Sequence, residues 1–309
     1  MKRKIIKQKS AYTITLPIEW IRDNNLTGAD EIEVTNQNND LNISTSKNNK
    51  KIISKLELKT GSEHYHRILI ENEYLKGCDI IKIKYSNQDT FKTIHNIVSN
   101  LIGFEIIEQK ENYCELLQTA MPTEDEFSRI LNRLVNIVKY LGDFVHKKIK
   151  ENDFEDMFEI KKIISDIRRF SLFCRRTIHK KNIVTRTEQV FLDLLLERLV
   201  ITSYHHYFMY EKINQNIGND TISKKVIDFY LESFETYNLF LKMFFKQDSS
   251  SFDLINQMWE KIYFKTGPEL LLNVNKKESI IIFHSMNYAY ETFLMAQPNT
   301  TQINIPKII

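Results

Sequence analysis

The first 46 positions alternate apolar and polar with a period of two. The spacing predicts short strands over Lys4 to Lys7, Thr13 to Leu16, Glu31 to Thr35 and Leu41 to Thr45. Between the second and third, Ile18 to Asn24 suits a short helix: Pro17 is tolerated at its start and Leu26 closes its apolar side. Asn36 to Asp40 reads NQNND, residues that accept left-handed backbone angles, and predicts a hairpin turn. Four marginal strands around one short helix cannot bury a good core alone, so this unit is expected to borrow its missing half from a second copy.

After a polar linker, Lys47 to Lys51, the pattern turns to alternating strands and helices. Strands are expected over Ile52 to Leu58, Cys78 to Tyr85, Phe104 to Glu108 and Cys114 to Gln118. Helices are expected over Ser62 to Lys76 and Gln88 to Leu101, ended by Gly77 and Gly103. The expected product is a small mixed sheet with helices on one face. At Thr123 the period becomes helical, opened by a capping box with Glu126. Phe127, Ile130, Leu131, Leu134, Val138, Leu141, Val145 and Ile149 form one apolar stripe; Ile160, Ile163, Ile164, Ile167, Phe170, Cys174 and Ile178 form another. Breaks at 152–153, 179–182, 218–220, 247–251 and Thr266-Gly267-Pro268 divide the region into six helices, 123–151, 154–180, 186–216, 221–247, 252–265 and 276–297, compatible with two three-helix units. The expected domains are therefore 1–46, 50–120 and 123–297, with 298–309 a loose tail.

Composition narrows the chemistry. Only 7 Gly and 5 Pro occur in 309 residues, which fits a mainly helical chain, and no two glycines are close enough for a dinucleotide loop, a phosphate loop or a nucleophile elbow. The net charge of +3 decides nothing by itself, but its distribution does. Lys2, Arg3, Lys4, Lys7 and Lys9 precede any acid, whereas positions 11–46 hold Arg22 as their one cation. Two such tails in a dimer would present a doubled cationic edge suited to duplex DNA. Arg22 reads equally as a phosphate contact or as a surface residue, while Tyr12 and Trp20 read as packing rather than base stacking. Cys78, Cys114 and Cys174 are scattered singly and read as small core hydrophobes of a reducing compartment. With no long apolar run, a soluble, cytoplasmic protein is expected.

The stretch Ser10-Ala-Tyr-Thr-Ile-Thr-Leu-Pro17, with Trp20, Leu26 and Asp30-Glu-Ile-Glu-Val34, resembles the swapped-hairpin DNA-binding domain of the SpoVT/AbrB/MazE type. The family's glycine before the aspartate is Ala29 here, with Gly28 one place earlier. Followed by an α/β segment with the run Leu101-Ile-Gly-Phe-Glu-Ile-Ile107 and by two three-helix units, the whole chain resembles the archaeal PhoU-type phosphate-uptake regulators. The resemblance implies an AbrB-like β-barrel formed by strand exchange, a PhoU-like bundle, a homodimer, and DNA contacts from Lys2, Arg3, Lys4, Lys7, Lys9 and Arg22.

In bacterial relatives each unit can bind a metal cluster through acids four apart. Here Glu197 is followed by Ile201 and Glu291 by Met295, so the metal function is not carried over and no cofactor is expected. Asp193 and Glu197 share a face and are expected to be a surface charge pair. His64 and His66 point to different helix faces and are expected to be solvated; Tyr204-His-His-Tyr207 reads as inter-helix packing with a polar edge. Arg175 and Arg176 could lower the pKa of the Cys174 thiol, but a core cysteine is the expectation. No triad, acid/base pair or cofactor cradle stands out, and an enzyme is not expected. The function implied is a DNA-binding transcription regulator whose helical half senses or docks onto a phosphate transporter or signalling protein. The alternative is an adaptor that does not bind DNA, with its hairpins serving as a dimer staple. A short antitoxin-like binder is disfavoured by length.

Overall fold

Lys9 and Ser10 form a two-residue turn, in which Lys9 takes the left-handed angle φ 50° that such turns require, and this folds β1 (Ile6–Gln8) onto β2 (Ala11–Thr13). The computed structural model describes residues 2–37, 40–45, 51–59, 61–120, 123–181, 183–216, 220–246 and 250–300. Both strands lie nearer the turn than the alternation suggested, because the tight turn consumes only two residues. The helix α1 (Ile18–Asp23) follows Pro17. A second antiparallel hairpin, β3 (Glu33–Gln37) and β4 (Asp40–Ser44), pairs Gln37 with Asp40; the tip of the expected NQNND turn lies outside the described residues. Each hairpin is a separate two-stranded sheet, so among the described residues one chain closes no barrel.

The chain divides into two compact units, Met1–Lys51 and Ile52–Ile309. The second opens with β5 (Ile53–Leu58), α2 (Glu63–Leu75), β6 (Ile80–Tyr85), α3 (Gln88–Val98), β7 (Phe104–Lys110) and β8 (Tyr113–Gln118). The sheet order is β5-β6-β8-β7, with β5 and β6 parallel and the other pairs antiparallel. Leu58, Ile81, Ile83, Tyr85, Cys114 and Leu116 are buried with Ile70, Tyr74, Ile94 and Val98 of the helices. Ser62 and Asn87 start the two helices by accepting hydrogen bonds from Tyr65 N and Thr90 N. The second helix ends at Val98, short of Gly103. That glycine instead turns the chain into β7 at φ 80°, where a Cβ would stand 2.9 Å from the Ala120 carbonyl.

The helical region comprises α4 (Glu124–Glu151), α5 (Met157–Lys180), α6 (Arg186–Asn216), α7 (Lys224–Lys246), α8 (Ser251–Lys261), α9 (Gly267–Leu271) and α10 (Lys276–Ala296). Both halves of the Thr123/Glu126 capping box form: Thr123 Oγ1 accepts from Glu126 N at 3.2 Å, and Glu126 Oε2 accepts from Thr123 N at 2.7 Å. The two predicted apolar stripes are buried, apart from the half-buried Ile130. The helices α4, α5 and α6 pack mutually, as do α7, α8 and α10, and the pairs α6–α10 and α4–α7 join the two sets. At Gly142 the approach is close enough that a Cβ would meet the Phe234 ring at 2.0 Å.

The expected break at Thr266-Gly267-Pro268 is not a break. The backbone stays helical through a π turn, Ile262–Thr266, into α9. Pro268 follows directly after the π turn, in the first turn of α9, and Gly267 admits Met286, whose Sδ would stand 2.5 Å from a Cβ. Most of the expected tail, 301–309, lies outside the described residues. No described helix is long and apolar enough to cross a membrane.

Candidate functional site

In the first unit the cations expected to contact DNA all lie at the surface. Lys2, Arg3 and Lys4 precede β1, Lys7 sits within it opposite Tyr12, and Lys9 occupies the hairpin tip. Arg22 is exposed on the last turn of α1. None of the six pairs with an acid among the described residues. Within this unit, the turn bearing Gly28 and Ala29 is organised by Asp30, whose Oδ2 accepts from Thr27 N at 2.7 Å and Thr27 Oγ1 at 3.0 Å. Gly28 has open space where a Cβ would stand.

Not one described residue of positions 2–45 is buried. Ile5, Ile6, Tyr12, Ile14, Ile18, Val34 and Leu41 are all exposed, Tyr12 by 68% and Leu41 by 63%. Burying an Ile, Leu or Val side chain is worth roughly 1.5–3 kcal/mol. A single copy of this unit leaves most of that gain unrealised.

In the second unit the charged chemistry converges on α5. Arg168 forks onto Glu71 of α2, with Nε 2.9 Å from Oε1, and its third nitrogen donates to Tyr204 Oη on α6 at 3.3 Å. Arg176 lies against the rings of Tyr74 and Phe104, 4.7 and 4.8 Å from their centroids, and donates to the carbonyls of Tyr74 and Cys78 and to Gln118 Oε1. Lys180 reaches Asp79 and Gln118. Beside Arg168, a polar cleft of about 380 Å³ opens between α2 and α3 on one side and α5 and α6 on the other, lined by Arg67, Asn96, Lys161, Ser165, Tyr204 and Tyr207 among others. The sequence reasoning missed this constellation. Its trace was the doubled arginines Arg168-Arg169 and Arg175-Arg176, seven apart beside an apolar stripe, which place cations on one flank of a buried helix.

The acids singled out in the sequence are held by arginines. Arg175 Nε lies 2.9 Å from Asp193 Oδ1, its NH1 meets Glu197, and His179 Nε2 stands 2.9 Å from Asp193 Oδ1. Burial alone would raise the Asp193 pKa, but the hydrogen bonds from His179 and Arg175 outweigh it and bring the carboxyl down to about 2. Glu291 takes Arg198 at 2.5 Å. Among the described residues no group of three or more His, Cys, Asp or Glu side chains is arranged to hold a metal.

The three cysteines are buried; desolvation raises the Cys174 thiol, and raises Cys114 to about 12, so neither is a ready nucleophile. Arg175 and Arg176 are committed to other partners and do not activate Cys174. Of the two histidines expected in solvent, His64 is exposed but His66 is 3% exposed: its Nε2 lies 2.9 Å from the Lys59 carbonyl, which folds the ring under the connection from β5 to α2. In the Tyr204 to Tyr207 run, His206 packs tilted against Tyr288 in the core, with ring centroids 4.5 Å apart, whereas His205 faces His284 across α6 and α10. Comparison with family models, with curated proteins and with solved structures returns no match for this chain.

Proposed function

We propose that the chain is a homodimeric, DNA-binding transcription regulator of the phosphate-uptake type. In this reading its N-terminal hairpins exchange between two copies to complete an AbrB-like barrel, and its helices form a PhoU-like bundle that senses or docks onto transport or signalling machinery. One observation carries the reading: the first unit has no buried residue among those described, yet exposes seven large apolar side chains alongside six unpaired cations. Two copies supply each other's core, and doubling the Lys2, Arg3, Lys4, Lys7 and Lys9 set gathers the charge that duplex phosphates would neutralise. The helical half takes the sensing role because it supplies one wall of the cleft beside Arg168.

The test is duplex affinity across a salt series. Log affinity should fall linearly with log salt, by about 0.9 per phosphate neutralised, and replacing Lys2, Arg3, Lys4, Lys7 and Lys9 with Ser should flatten the slope. A chain that binds no duplex at low salt while remaining dimeric would replace this reading with that of an adaptor. A chain that sediments as a monomer would end both.

A further inference from the structure

From the cleft beside Arg168 we infer a binding site for a small organic anion, one that carries carboxylate or phosphate groups on a short carbon skeleton. The assignment rests for its purpose on the reading of the helical half as the sensing half, and names the chemistry of what is sensed. The cleft's volume of about 380 Å³ falls within the roughly 300–1,000 Å³ of small-molecule sites. Two helical stripes face it. On α2, Glu63, Arg67 and Glu71 recur every fourth residue, and on α5, Lys161, Ser165 and Arg168 follow at four and three, so each set lies on one face of its helix.

What the lining can bind is decided by which of its groups are already taken. Its acceptors are largely filled: both oxygens of Glu71 accept from Arg168, Glu63 Oε1 accepts from Arg67 at 2.9 Å, and Asn100 Oδ1 accepts from Ser165 Oγ at 2.9 Å. Donors are left over. Lys161 Nζ and the side-chain amide of Asn96 have no partner among the described residues. Tyr204 Oη accepts from Arg168 at 3.3 Å, which leaves its own proton to donate. The pair of Arg67 with Glu63 is exposed and worth little, so the guanidinium can turn its remaining N–H groups to a ligand at small cost. Three cations line the cleft against two acids, and guanidinium groups hold both acids. A surplus of donors and positive charge selects an acceptor-rich anion, which charge-assisted hydrogen bonds would grip. Buried Ile97 and Ile164 add apolar surface to the lining, which a carbon skeleton would cover and a bare inorganic ion would not.

The test titrates the full chain with citrate, with glucose 6-phosphate and with inorganic phosphate by calorimetry at constant ionic strength. At least one of the organic anions should saturate a single site per chain and bind more tightly than inorganic phosphate, and the tighter of the two separates a carboxylate from a phosphate ester. Lys161 is exposed, so its variants keep the fold. Lys161→Ala should weaken binding about tenfold, the effect of one hydrogen bond between charged groups, and Lys161→Glu should abolish it. Lys162→Ala removes the same charge one position away, outside the lining, and should leave the affinity unchanged. Replacing Lys2, Arg3, Lys4, Lys7 and Lys9 with Ser should leave it unchanged too; loss of binding there would move the anion to the first unit and overturn the site. No saturable binding of either organic anion, binding indifferent to Lys161→Glu, or inorganic phosphate bound as tightly as both also overturns it. A chain that binds the organic anion through Lys161 but binds no duplex upholds the site and ends only the reading as a DNA-binding regulator.

Discussion

Arg168 and Glu71 form a two-pronged ion pair in which the carboxylate side chain is 8% exposed, and this pair joins α5 of the bundle to α2 of the α/β layer. Removing one partner leaves the other charge desolvated. Arg168→Met or Glu71→Leu should each cost about 3 kcal/mol, and the double variant clearly less than the sum. Urea unfolding of the four proteins measures the coupling; strict additivity would show that the pair contributes nothing specific.

At Gly142, opposing effects of different size meet. Alanine gains about 1 kcal/mol in helix propensity, while forcing a methyl into a packed core costs about 1–3 kcal/mol. Because the new carbon would stand 2.0 Å from Phe234, the steric term wins. Gly142→Ala should lower the melting temperature, and the same substitution combined with Phe234→Leu should recover part of the loss.

Asp193 should shape the acid limb of the stability curve. Its folded pKa, about 2, lies below the unfolded value near 4, so the unfolded chain takes up the proton first as pH falls. The stabilisation is whole above about pH 4 and disappears progressively toward about pH 2. The difference in urea midpoint between the native chain and Asp193→Asn should therefore be largest at neutral pH and shrink over that interval. A difference independent of pH would assign the effect to packing.

Tyr288 is buried with its hydroxyl lacking a partner among the described residues, in contrast with Tyr237, whose hydroxyl donates to the Val135 carbonyl at 2.8 Å. Tyr288→Phe should be neutral or stabilising by about 1 kcal/mol, and Tyr237→Phe destabilising by about 1–2 kcal/mol. Thermal melts should show a lowered midpoint for Tyr237→Phe and none for Tyr288→Phe.

The elements of the second unit were largely legible because their signals are local. Thr123 and Glu126 sit three apart and cap α4 as their spacing requires, and the two apolar stripes of α4 and α5 are the buried faces. What escaped was set by tertiary partners. Thr266-Gly267-Pro268 carries every local mark of a stop, but Met286 on α10 needs the space above Gly267, and packing against that helix carries the backbone through. His66 and the arginines of α5 escaped for the same reason: their partners, the Lys59 carbonyl, Glu71, Tyr74 and Gln118, are chosen by the fold and leave no periodic trace. The pairing of His205 with His284 spans 79 positions, beyond the reach of any spacing argument.

Leu172 is buried in the core of the sheet layer, while its neighbours Phe173 and Cys174 on α5 are buried in that of the bundle. A rod with each flank embedded in a different interior leaves no joint between them. Disturbance at one wall must then arrive at the other as a tilt or slide of that rod, within a fraction of a helical turn, rather than as the opening and shutting of two lobes.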